Sequence, residues 1–136
     1  MKNAKITTAS KKKDNYKGRT IMIKVTVNNE IQTMKYDNSK DLEKEIGCYE
    51  FVYPVRLDPK FVMVVDENGY SKNLDINIVG SYYYGSDKNG YAILGDILIL
   101  RVHRRPDGYH ISDITEQEEN RLLKEVKTII NIKRGM

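Results

Sequence analysis

Phe61, Val62, Met63, Val64 and Val65 form an unbroken apolar run, closed by the polar turn Asp66, Glu67, Asn68 and Gly69. In a strand, successive side chains point to opposite faces. A run with no polar member must therefore be covered on both faces. The 136 residues of the chain fit one domain. A chain near that length buries about two-thirds of its unfolded surface, enough for a core without covalent staples.

The rest of the pattern supplies partners for that strand. Ile21, Ile23, Val25 and Val27 alternate with Met22, Lys24 and Thr26, which is strand spacing. Asn28 and Asn29 follow, and asparagine tolerates the positive φ of a tight hairpin, so residues 31–36 return as a second strand. Ser39 is placed to cap a short helix bearing Leu42 and Ile46, which Gly47 ends in the left-handed conformation. Tyr49, Phe51 and Tyr53 alternate with Glu50 and Val52 until Pro54, which cannot donate to a ladder. Residues 76–84 and 91–103 predict two further strands, split by the polar, glycine-bounded loop 85–90. Arg105, Pro106, Asp107 and Gly108 mark a turn, and Gly80, Gly85 and Gly90 are expected as turn glycines. Thr115 with Glu118 spells a capping box, and Leu122, Leu123, Val126, Ile129 and Ile130 fall on one helical stripe that should pack on the sheet. The expected fold is α+β: a twisted, mainly antiparallel sheet, open to closing as a barrel, with a short helix and a C-terminal amphipathic helix.

Charge is unevenly placed. The chain holds 23 basic and 19 acidic side chains, a net charge of +4. Residues 1–21 contain seven of the basic ones against Asp14 alone, so the remainder is mildly acidic. This pattern, with no apolar periodicity over residues 1–20, predicts a disordered basic tail ahead of a single domain over 21–136. Met22 is an alternative start. A body without its own positive face argues against duplex nucleic acid as the partner. No apolar run approaches the roughly 20 residues that span a bilayer, and no apolar leader segment is present. A single cysteine, Cys48, forbids an intrachain disulfide and points to a reducing cytoplasm. It is expected as a small buried apolar residue.

The order of motifs from about residue 47 to 126 resembles a family of small uncharacterised domains of phages, plasmids and related mobile elements, mainly of Gram-positive and gut bacteria. The features that carry the resemblance are Tyr49 to Pro54, then Val64 to Gly69, Leu74, Asn77, Ile93 to Ile99, and Ser112 to Thr115 opening the last helix. The Tyr82-Tyr83-Tyr84 segment and the basic tail depart from the family pattern. The resemblance implies a mobile-element origin and a site of action inside a host bacterial cell. It implies no reaction, and no catalytic residue is carried over.

Chemistry-bearing motifs are sparse. His103 and His110 are the two imidazoles, and neither adjoins a nucleophile motif. One cysteine and two histidines, even joined by Asp107 or Asp113, fall short of a zinc set, so neither a metal nor a cofactor is expected. Glycine-rich phosphate loops of the nucleotide-binding types are missing. Tyrosine is the unusual content: ten, against two phenylalanines and no tryptophan. Its flat ring and hydrogen-bonding tip suit interfaces and base-stacking pockets. As a strand, the cluster would turn Tyr82 and Tyr84 to one face and Tyr83 to the other, with Asn89 in a loop able to close over a ligand. Arg56, Arg101, Arg104 and Arg105 offer guanidinium forks for phosphate or carboxylate. Ile97, Ile99, Arg101 and His103 share a strand face, as expected where a strand leaves the core.

These residues point to a non-catalytic binding protein, and the resemblance implies that it serves a mobile element. In its sharpest form it counters host defence by sequestering a nucleotide-derived immune signal, with tyrosines stacking the base and arginines holding phosphates. The alternative is an inhibitor or adaptor that binds a host protein, since tyrosine and arginine also dominate protein hot spots. An enzyme acting on nucleotides or nucleic acid ranks third. The C-terminal helix also allows self-association into a homo-oligomer.

Overall fold

A computed structural model describes residues 19–134; residues 1–18 of the tail expected over 1–20 lie outside the described residues. Order begins earlier than the sequence suggests. Arg19 forms a bridge with Ile114, and its guanidinium meets the buried Glu119 carboxylate at 2.7 and 2.9 Å.

The fold is α+β, an antiparallel six-stranded sheet that is not closed, with four helices. In chain order the elements are β1 (Ile21–Val25), β2 (Ile31–Lys35), α1 (Ser39–Ile46), β3 (Tyr49–Val52), β4 (Phe61–Asp66), α2 (Ile78–Tyr84), α3 (Ser86–Asn89), β5 (Ile97–Arg105), β6 (Gly108–Ile111) and α4 (Glu116–Arg134). The strand order is β2-β1-β5-β4-β3, with β6 pairing the far half of β5. Among the described residues the sheet stays open, with β2 and β3 as its outer strands and β6 pairing β5 alone, in place of the barrel closure that the sequence left open.

The apolar run is an interior strand, between β5 and β3, and is covered on both faces, as its composition demands. Phe61, Met63 and Val65 join Ile21, Ile23, Val25, Ile97 and Ile99 in one core layer, closed by Val79 and Tyr83 of α2 and by the apolar stripe of α4. Val62 and Val64 join Met22, Leu98, Leu100 and Val102 in the opposite layer, where Leu42 is the buried contribution of α1. Full burial of such a valine or isoleucine stabilises by about 1.5–3 kcal/mol relative to exposure.

Local signals explain most boundaries. Asn29 adopts φ 67°, the left-handed turn that joins β1 to β2. Asn38, not Ser39, caps α1: its side chain accepts from the Lys40 amide, while Asp41 accepts from the Asn38 amide. Gly47 ends α1 at φ 93° but with ψ −127°, outside the left-handed helical region expected for it. Thr115 and Glu118 form the expected capping box, each accepting from the other's amide at 3.0–3.1 Å. The Arg105 to Gly108 turn closes a hairpin whose second arm, β6, periodicity did not flag.

The largest correction concerns the strand expected over residues 76–84: Ile76 makes a single bridge to Leu94, and residues 78–84 form helix α2. Isoleucine, valine and tyrosine favour strands, but distant contacts decide here. The Asn77 side chain is fully buried, caps α2 by accepting from the Gly80 amide, and donates to the Val25 and Gly95 carbonyls. Gly80 is thus a helix residue and not a turn: a side chain there would meet Ile93 and Ile97 at 3.0–3.1 Å. Val79 and Tyr83, four apart, face the core. The loop expected over 85–90 is the one-turn helix α3, flanked by Gly85 and Gly90 at φ 82°.

Candidate functional site

Because α2 is helical, Tyr82, Tyr83 and Tyr84 do not alternate across a sheet. Successive residues of a helix step by about 100°, so the three rings leave α2 in three directions. Tyr83 enters the core, and its hydroxyl donates to Glu125 at 2.6 Å. Burial, reinforced by that carboxylate, pushes its phenol far above the ordinary tyrosine range. Tyr83 is therefore a structural residue.

Tyr82 lies half-buried beneath two cations. The Arg56 guanidinium sits 4.9 Å from its ring centroid and the Lys133 ammonium 5.6 Å. Arg56 is held in place from three sides. It makes a two-pronged ion pair with Asp87 of α3 at 2.7 and 2.9 Å and donates to the Tyr82 carbonyl at 3.1 Å. The fork holds the Asp87 carboxyl below its usual range, chiefly through the hydrogen bond and then through charge. Among the described residues, Lys133 has no carboxylate partner.

Tyr84 points elsewhere, into an open cleft of about 180 Å³ between β3 and the segment 91–94. Glu50, Val52, Glu67, Tyr70 and Tyr91 are among its lining residues. The Tyr70 hydroxyl donates to the Ala92 carbonyl at 2.7 Å, which fixes that ring at the rim. Glu67 accepts from the Cys48 thiol at 2.6 Å. Cys48 is exposed and not buried as expected, and the hydrogen bond to Glu67 pushes its thiol up, away from the reactive thiolate. Neither Glu50 nor Glu67 has a cationic partner among the described residues, whereas neighbouring Asp66 pairs with Lys72 at 2.7 Å. The cleft is aromatic and acidic, and it is smaller than the roughly 300–1,000 Å³ usual for drug-sized ligands.

The remaining expected site residues lie apart from these places. Asn89 serves the α3 turn: it donates to the Tyr84 carbonyl and accepts from the Tyr91 amide. Arg101 pairs with Glu118 at 3.2 Å across to α4. Burial alone would raise the Glu118 carboxyl, but the Thr115 amide and Arg101 hold it below its usual range. Arg105 is exposed at the β5–β6 hairpin. Arg104 lies over Tyr109, 5.2 Å from its centroid, and donates to its hydroxyl at 2.7 Å.

Sequence reasoning missed the surface to which Arg104 belongs. Tyr109 stacks on Tyr53 at 4.6 Å between centroids, tilted by 31°. Both rings are exposed, 41% and 51%, as is Phe51 at 44%. Registers place them together. Phe51 pairs with Val64, and Tyr109 pairs with Arg104, which shares its strand face with Leu100 and Val102, so all lie on the α1 side of the sheet. α1 covers only the part of that face near Leu42 and Ile46. The signal was present in the hairpin: counting back symmetrically from the Pro106–Asp107 turn puts Tyr109 opposite Arg104.

No family model, curated protein or solved structure matches the chain.

Proposed function

We propose that this chain is a non-catalytic protein-binding domain, an inhibitor or adaptor that engages a host protein through the uncovered part of its sheet. The observation that carries this reading is the exposed cluster in which Tyr53 stacks on Tyr109 and Arg104 donates to the Tyr109 hydroxyl. Tyrosine gives much contact area for little lost side-chain freedom, and tyrosine and arginine are enriched at protein hot spots. Their mutual packing pre-orders the surface, which lowers the entropy cost of association. The family resemblance in residues 47–126 supplies the setting, a mobile element acting inside a bacterial host.

A photo-crosslinking amino acid placed at Tyr53 or Tyr109 in bacterial cells tests this. One dominant host-protein adduct from both positions, and none from Lys40 on the outer side of α1, is the expected result. Equal adduct patterns from all three positions, or none, would reject it.

A second reading is favoured by one observation, the two cations over Tyr82. A nucleotide-derived immune signal could stack there with its phosphates between Arg56 and Lys133. Calorimetric titration with cyclic nucleotides and ADP-ribose derivatives decides it. Heats that vanish in Tyr82→Ala would support sequestration, and uniformly absent heats would remove it.

A further inference from the structure

β3 is an outer strand whose free edge separates two unlike surfaces. Cys48 accepts a hydrogen bond from the Glu67 amide at 3.0 Å through its carbonyl, which fixes the ladder phase between β3 and β4. In an antiparallel pair, alternate residues point their main-chain groups away from the partner strand. Tyr49 and Phe51 are those residues, and no main-chain partner meets them there among the described residues. Such an edge is a template for another strand.

The two surfaces beside that edge differ in chemistry. On the α2 side, Glu50 and Val52 lead into the cleft with Glu67, Tyr70, Tyr84 and Tyr91. Carboxylates that have no cationic partner among the described residues, set beside tyrosine faces, suit a cation, which gains from charge and from the ring quadrupole together. On the α1 side stand the exposed rings of Phe51 and Tyr53. Side chains of a strand added beside β3 would alternate between these surfaces.

We propose that the β3 edge binds an extended segment of a partner protein in which basic residues alternate with apolar ones. Its main chain pairs with Tyr49 and Phe51. Its lysine or arginine side chains enter the acidic tyrosine cleft, and its apolar side chains cover Phe51 and Tyr53. Strand addition supplies affinity through main-chain hydrogen bonds, and the two surfaces supply the sequence preference. This rests on the protein-binding reading and names the partner's chemistry.

The test uses the full chain and three labelled ten-residue peptides: alternating Lys-Val, alternating Glu-Val, and Lys-Ser, which keeps the charge without the apolar face. Fluorescence anisotropy should show binding of Lys-Val, with Lys-Ser at least about 10-fold weaker and Glu-Val undetectable; each 10-fold corresponds to about 1.4 kcal/mol. Amide exchange should slow at Tyr49 and Phe51 when Lys-Val is bound. Glu50→Lys should weaken Lys-Val by about 10-fold or more. Phe51→Pro removes the outward amide, which an edge strand tolerates, and should abolish binding while the circular dichroism of the fold is retained. Equal binding of Lys-Val and Lys-Ser, or indifference to Glu50→Lys, would overturn the proposal as mere charge attraction. Slow exchange at both amides in the chain alone, relieved when Lys11, Lys12 and Lys13 are changed to glutamate, would give the edge to the chain's own segment and also overturn it. A host adduct at Tyr109 with no Lys-Val binding would leave the protein-binding reading standing and remove this one; failure of both experiments would remove both.

Discussion

The two faces of the sheet are built from the same strands and finished differently. On one, α2 and α4 lay Val79, Tyr83, Leu122, Val126, Ile129 and Ile130 over Ile23, Met63 and Ile99, and the layer is closed. On the other, α1 gives Leu42 as its one fully buried side chain and leaves Phe51, Tyr53 and Tyr109 to solvent. Adjacent residues of one strand thus serve opposite ends: Val52 packs toward the closed layer while Phe51 and Tyr53 stand in the open. Stability is concentrated where helices seal the sheet. The proposed recognition surface is the face on which a helix stops short.

Substitutions on the two faces should separate these roles. The largest effect is expected from Tyr83→Ala, which opens a cavity in the closed layer and removes the hydrogen bond to Glu125; a loss of about 3–5 kcal/mol is typical for removing a buried aromatic ring. Urea unfolding would show it as a lowered midpoint, and a loss below about 1 kcal/mol would mean that the layer collapses onto the gap. Thr115→Ala removes the acceptor that starts α4, the lid of the same face, and should cost on the order of 1 kcal/mol. A neutral midpoint would show that α4 begins elsewhere or that Glu118 alone suffices. The smallest stability effect is expected on the open face: Tyr53→Ser should stay within about 0.5 kcal/mol of the parent, as exposed substitutions usually do, while losing the host adduct made from Tyr109. Destabilisation comparable to Tyr83→Ala would show that the open face is core after all and would dissolve the contrast.

Much of the closed architecture could be read from residue order. Phe61 to Val65 required cover on both faces and receives it. The α4 stripe and its Thr115–Glu118 box needed only spacing within one element. What escaped was decided by contacts remote in sequence. Residues 78–84 have strand-like composition, and they coil because Asn77 finds the carbonyls of Val25 and Gly95, 52 and 18 residues away. The candidate site suffered from the same cause. Tyr82, Tyr83 and Tyr84 were grouped by adjacency, but a helix disperses adjacent side chains, so one ring went to the core and two to separate surfaces. Tyr53 and Tyr109 meet only because β3, β4, β5 and β6 fold into one sheet. Cys48 was expected inside because cysteine is so often buried, yet it precedes an outer strand and stays at the surface.

Asn77 also governs how this molecule opens. A helix of seven residues has negligible stability by itself, because forming its first turn is costly and little propagation follows. α2 persists because one amide side chain joins its first turn to the end of β1 and to Gly95 ahead of β5. Its amides therefore cannot fray as an independent unit. Release of α2 frees two buried carbonyls at once, so it belongs to the same cooperative opening event as the sheet. Tyr82 and Tyr84, carried at the end of this short helix, keep their positions for the lifetime of the sheet and not for that of an isolated helical turn.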